Sequence, residues 1–108
     1  MDERDRRIGL NEALFREVNE AVSDISEDFD AAEFEIVCEC GNLGCDQKIP
    51  MTNAAYSAIR SDPHQFALVP GHEIPDVEEV IADEGGYYIV RKTAPDARDM
   101  AERTDRNS

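Results

Sequence analysis

Between residues 11 and 27 the apolar side chains recur at offsets of three and four: Leu14, Phe15, Val18, Ala21, Val22 and Ile25. That period makes one stripe on an α-helix, with Asn11 placed to cap its first turn. A stripe of this kind is expected to lie on a sheet. From Glu33 the period drops to two, so that Phe34, Ile36 and Cys38 share one face and Glu33, Glu35 and Glu39 the other. This predicts a strand with an acidic outer face and a thiol at its end. Lys48 to Met51 reads as a short extended segment. A helix capped by Thr52 follows to about Arg60, with Ala55, Tyr56 and Ile59 inward, and stops at Ser61-Asp62-Pro63 because proline disfavours the α conformation in the residue before it.

Phe66 to Val69 predicts a further strand, closed by the turn pair Pro70-Gly71. Val77 to Lys92 places Gly85-Gly86 between two runs rich in Val, Ile and Tyr, the pattern of a hairpin. Val77, Val80 and Ile81 also suit a short helix behind Pro75, but the hairpin accounts for more of the segment. Beyond Thr93 the chain is polar and aperiodic, which predicts a mobile tail. The fold class is therefore α+β: one domain over residues 8–93, a small antiparallel sheet with a long N-terminal helix and a second short helix, and a disordered tail over 94–108.

At 108 residues the chain has room for one modest core. Its apolar runs are far shorter than the roughly 18–20 residues that cross a bilayer, and MDERDRRIGL lacks the apolar centre of a secretory signal. No membrane association and a cytoplasmic location are expected, where thiols stay reduced and structural disulfides are rare. The formal charge is -14, from 25 acids against 11 Lys and Arg. The two ends are nearly balanced, so the body itself is acidic. Such a surface repels phosphates and argues against direct nucleic-acid binding; it suits a protein partner, possibly a basic one, or serves only solubility.

The three cysteines of the chain stand within eight residues, CECGNLGC, as Cys38, Cys40 and Cys45. Gly41 and Gly44 sit where a loop folding three thiolates onto one ion needs positive φ angles. Tetrahedral Zn²⁺ takes a fourth ligand, and Cys3His is an ordinary structural set. Of the two histidines, His72 follows Pro70-Gly71 at a strand end, where an adjacent strand of the same sheet can bring it beside Cys38. His64 lies in a polar turn and is expected to face solvent. Asp46 is the nearest acid that offers an alternative fourth ligand.

The C-x-C-x4-C spacing of these cysteines is similar to the post-SET motif of histone lysine methyltransferases, in which three cysteines join one distant cysteine around zinc. That resemblance implies three near ligands and one far one, and nothing about methyl transfer. C-x-C with a Cys3His set also resembles the CDGSH iron–sulfur proteins. Here Cys45-Asp46-Gln47-Lys48 departs from that family's sequence, and no histidine stands four residues after the third cysteine. NEALFREVNE at 11–20, CECG with Cys45, Arg60 with Asp62-Pro63, and PGHE at 70–73 together resemble a family of small actinobacterial proteins. Its pairing of the cysteine triplet with PGHE again implies His72 as the fourth ligand.

A closed Cys3His site leaves zinc no open position for catalysis, and Glu39 and Glu73 beside the ligands each fit a solvated acid as well as a general base; with no catalytic constellation legible, no enzyme activity is expected. The reading is a small acidic protein with a structural zinc site at Cys38, Cys40, Cys45 and His72, acting as a protein-interaction or regulatory module. The alternatives are an acidic nucleic-acid mimic that occupies a basic DNA- or RNA-binding protein, suggested by EDFDAAEFE and DVEEVIADE, and a Cys3His iron–sulfur or redox protein.

Overall fold

The computed structural model describes residues 3–28, 33–42 and 44–105. Its elements are α1 (Glu3–Asp28), β1 (Phe34–Val37), β2 (Lys48–Met51), α2 (Asn53–Arg60), β3 (Gln65–Leu68), β4 (Glu78–Asp83), β5 (Tyr88–Lys92) and α3 (Pro95–Arg103). The class is α+β. The strands divide between two antiparallel sheets, however: β1 pairs with β2, and β5 lies between β3 and β4. Gly85-Gly86 does turn a hairpin, with Gly85 at φ 90° and the register shifting by one residue at Ile81.

One apolar cluster joins the sheets: Ile36, Ile49 and Met51 from the first, Phe66, Ala67, Leu68 and Val90 from the second, and Tyr56 and Ile59 from α2. Thr52 caps α2 as its sequence predicts, its hydroxyl accepting from the Ala55 N–H at 3.1 Å. Beyond the end of β1, the Glu39 N–H donates to the Ala67 carbonyl at 2.9 Å and bridges the two sheets.

The longest helix reverses its expected packing. It begins eight residues before Asn11, and its buried face is polar: Glu12, Arg16, Asn19, Glu20 and Ser23. Leu14 is 54% exposed, Val18 43% and Ile25 57%, while Phe15 and Val22 are half-buried. The reason lies in what the core offers this helix, which is unpaired backbone and charge. Asn19 exchanges hydrogen bonds with the Val37 backbone at 2.9 and 2.8 Å and donates to Glu39 at 2.8 Å. Arg16 donates to the carbonyls of Pro63 and Ala101 and to the Thr104 hydroxyl, at 3.0–3.1 Å. Buried polar groups are costly unless paired, so the face that completes these pairs goes inward.

Two of those Arg16 partners belong to or adjoin α3, which replaces the expected tail. Pro95 suits a first helical turn, Asp96 and Arg103 complement the helix dipole, and Ala101 is buried against the core. Residues 106–108 lie outside the described residues. Among the described residues no helix is long and apolar enough to cross a membrane.

Candidate metal centre

Cys38 follows the last residue of β1, and its N–H continues the ladder to the Gln47 carbonyl at 3.1 Å. The chain then turns back. Gly41 has φ 79°, and a Cβ there would stand 2.9 Å from Glu12 Cγ and from the Ile8 carbonyl of α1, so glycine is required both by conformation and by space. The Gly44 N–H donates to Asn42 Oδ1 at 2.9 Å and holds the turn. The Cys45 N–H closes this turn on the Asn42 carbonyl at 3.0 Å. The second arm is the turn after β3, where Gly71, at φ 95°, lets the His72 N–H reach the Val69 carbonyl at 3.0 Å.

These two arms bring Cys38, Cys40, Cys45 and His72 together, with one potential ligand atom from each lying within 4.8 Å of all the others. His72 Nδ1 is 3.5 Å from Cys38 Sγ and 3.7 Å from Cys45 Sγ. A tetrahedral ion with metal–sulfur bonds near 2.3 Å and metal–nitrogen bonds near 2.05 Å sets such a pair about 3.6 Å apart. The donor set fits a metal ion. The route to this meeting differs from the one expected, since Cys38 and His72 adjoin strands of different sheets; the Glu39-to-Ala67 bridge aligns them. Asp46 is exposed and outside the group.

Backbone donors already face the sulfurs. The Val69 N–H points to Cys38 Sγ at 3.2 Å. In the metal-free chain a hydrogen bond from the Cys38 thiol draws Cys40 down to about 5, against its burial and helped by the Asn42 N–H, His72 and Cys45. That same bond, with burial, pushes the Cys38 thiol up. An ion binding at this pair would displace the proton the two sulfurs share. An open cleft of about 630 Å³ beside Cys40 and His72 carries Arg4 and Arg7 of α1.

His64 is not solvent-facing. It is buried, its Nε2 2.8 Å from Glu102 Oε1 of α3 and its Nδ1 3.1 Å from Asp62 Oδ1, far from the thiols in its role as a clasp on α3. Glu39, expected on the acidic outer face, is 0% exposed and accepts from Asn19, from the Tyr56 hydroxyl at 2.8 Å and from the Ala67 N–H at 2.9 Å. Glu73 accepts from the Gly71 N–H at 2.8 Å and so braces the His72 turn.

A second polar group was missed entirely. Lys92 Nζ lies 2.6 Å from Glu12 Oε2 and 2.6 Å from Glu78 Oε1, all three buried, and 5.4 Å from the centre of the Phe66 ring. The signal was present in β5, where Lys92 falls in phase with buried Val90 and so occupies an inward register position. Burial raises Glu12 to about 7 despite the charge and hydrogen bond of Lys92. The one ammonium faces both carboxylates, and Glu12 is held near its point of protonation.

No protein family, curated protein or solved structure was found to match the chain. The four-residue metal cluster is therefore the feature from which a function is argued.

Proposed function

We propose that the chain is a zinc-binding protein in which one structural ion, held by Cys38, Cys40, Cys45 and His72, staples the fold of a small acidic module that acts by binding other protein. The observation that carries this reading is the approach of all four donor atoms to within 4.8 Å. A single ion needs its donors that close, whereas a two-iron cluster spreads its ligands over two metals and separates the pairs further. Three thiolates and an imidazole match the preference of zinc, and four protein donors leave a tetrahedral ion no position for water. The role is then structural and not hydrolytic.

Less supports the nucleic-acid mimic. Glu78 of DVEEVIADE is buried and accepts from Lys92, and EDFDAAEFE runs through residues 29–32, outside the described residues. The test of the metal reading is elemental analysis and native mass spectrometry of protein purified under reducing conditions. One zinc per chain is expected, falling to none in Cys45→Ser and in His72→Ala but retained in His64→Ala. Stoichiometric iron with visible charge-transfer absorption, or protein free of metal, would overturn it.

A further inference from the structure

α1 turns its polar face to the core and leaves its aliphatic face outside. Leu10, Leu14, Val18 and Ile25 are each between 43% and 57% exposed, with exposed Ala21 among them. At 100° per residue the centre of this stripe lies about 180° from the centre of the buried row Glu12, Arg16, Asn19, Glu20 and Ser23. Among the described residues nothing covers the stripe. It runs about 22 Å along the helix, and a contiguous apolar strip of that length on a small acidic body marks a binding surface.

Two properties of α1 identify the occupant. The first is the order of the stripe, Leu10-Leu14-Val18-Ala21-Ile25, which reads nearly the same from either end. Laid antiparallel on itself, it sets Leu10 against Ile25, Leu14 against Ala21, and Val18 beside its own copy at the centre. The second is the charge order. In this one helix Arg4, Arg6 and Arg7 outnumber Glu3 and Asp5 at the N-terminal end, while residues 17–28 carry Glu17, Glu20, Asp24, Glu27 and Asp28 and no base. The antiparallel register brings Arg7 of one copy within about one turn of Asp24 of the other, and it opposes the two helix dipoles favourably. A parallel pair would set the two acidic C-terminal halves against each other.

The geometry points to a second copy of this chain as the occupant: an isologous, antiparallel α1–α1 dimer, with the metal centre outside the interface. Self-complementary patches of this kind generate two-fold dimers. A single helix pair buries an area at the low end of specific interfaces, and each body carries a charge of -14, so the association is weak, with a dissociation constant in the micromolar range. The inference goes beyond the metal reading and does not depend on it.

Sedimentation velocity across a concentration series of the zinc-loaded chain tests it, with circular dichroism and metal content checking each variant's fold. The wild type should pass from monomer to dimer in the micromolar range. Leu14→Glu, at a side chain already half in solvent, should keep the fold and metal and weaken dimerisation roughly tenfold or more. Arg7→Glu should weaken it severalfold, and Arg7→Glu combined with Asp24→Arg should recover it, because the reversed pair again attracts. A wild type that stays monomeric into the millimolar range, a dimer indifferent to Leu14→Glu, or a double reversal no better than Arg7→Glu alone would each overturn the antiparallel dimer. None of these outcomes touches the zinc assignment, which elemental analysis decides.

Discussion

Glu12 shows how burial and charge compete at one residue. Its carboxylate is hydrogen-bonded to Lys92, yet desolvation wins and raises it from 4.5 to about 7. A carboxyl with a raised native pKa binds more protons folded than unfolded across that interval, so its contribution to stability falls as pH rises from about 4.5 to 7. We predict that Glu12→Gln removes this dependence: urea-unfolding free energies of wild type and variant should diverge as pH rises through that window, in favour of the variant. Parallel curves would mean that Glu12 titrates normally. Glu39 is buried with three donors aimed at it. Glu39→Ala would strand the Asn19 amide, the Tyr56 hydroxyl and the Ala67 N–H, a loss of about 3–5 kcal/mol measurable by the same titration. Neither residue was legible as internal. Alternation assigned Glu39 to the outer face, and only the bend of the chain after Val37 turns it in.

The period of a helix tells that a helix exists and which residues share a side; it does not tell which side the core will take. That is why β1, β2, β3, the β4–β5 hairpin and the capped α2 were all readable as local patterns, while the orientation of α1 was not. The decision belongs to distant partners, the Val37 backbone and the carbonyls of Pro63 and Ala101, that no local pattern contains. α3 was missed for a related reason. PDARDMAER is too polar to announce a buried face, and its place is fixed by Arg16, by Thr104 and by the His64–Glu102 contact. Removing residues 95–108 should therefore destabilise the protein by several kcal/mol, because Arg16 keeps its charge in the interior and loses two of its three acceptors. Chemical denaturation of the shortened chain reads this directly. Unchanged stability would return the segment to the status of a dispensable tail.

At the scale of the whole molecule, the metal centre was the most legible feature, since glycine placement and donor chemistry are local while only one histidine followed a tight turn. What could not be read was the mechanical setting: the ligands come from two sheets, not from neighbouring strands of one. Beyond the apolar cluster, those sheets are tied near the site by the Glu39–Ala67 bridge and the Val69 N–H on Cys38 Sγ, and an ion held by the four donors would add four bonds at the same seam. Binding free energy at such a site is folding free energy. We predict that chelation, or Cys45→Ser, loosens amide-exchange protection in residues 36–50 and 68–74 together, because the amides of Cys38, Glu39, Val69 and His72 share one cross-linked unit. α1 should keep more of its protection, since Arg16 anchors it to Pro63, Ala101 and Thr104, outside both segments. A loss of even 3 kcal/mol lowers the melting temperature of a domain this size by roughly 10–25 °C, so differential scanning calorimetry with and without chelator is a sensitive companion measurement. If metal-free protein keeps its melting temperature and the protection of both segments, the sheets hold each other without the ion, and the centre must serve chemistry or signalling instead of the fold.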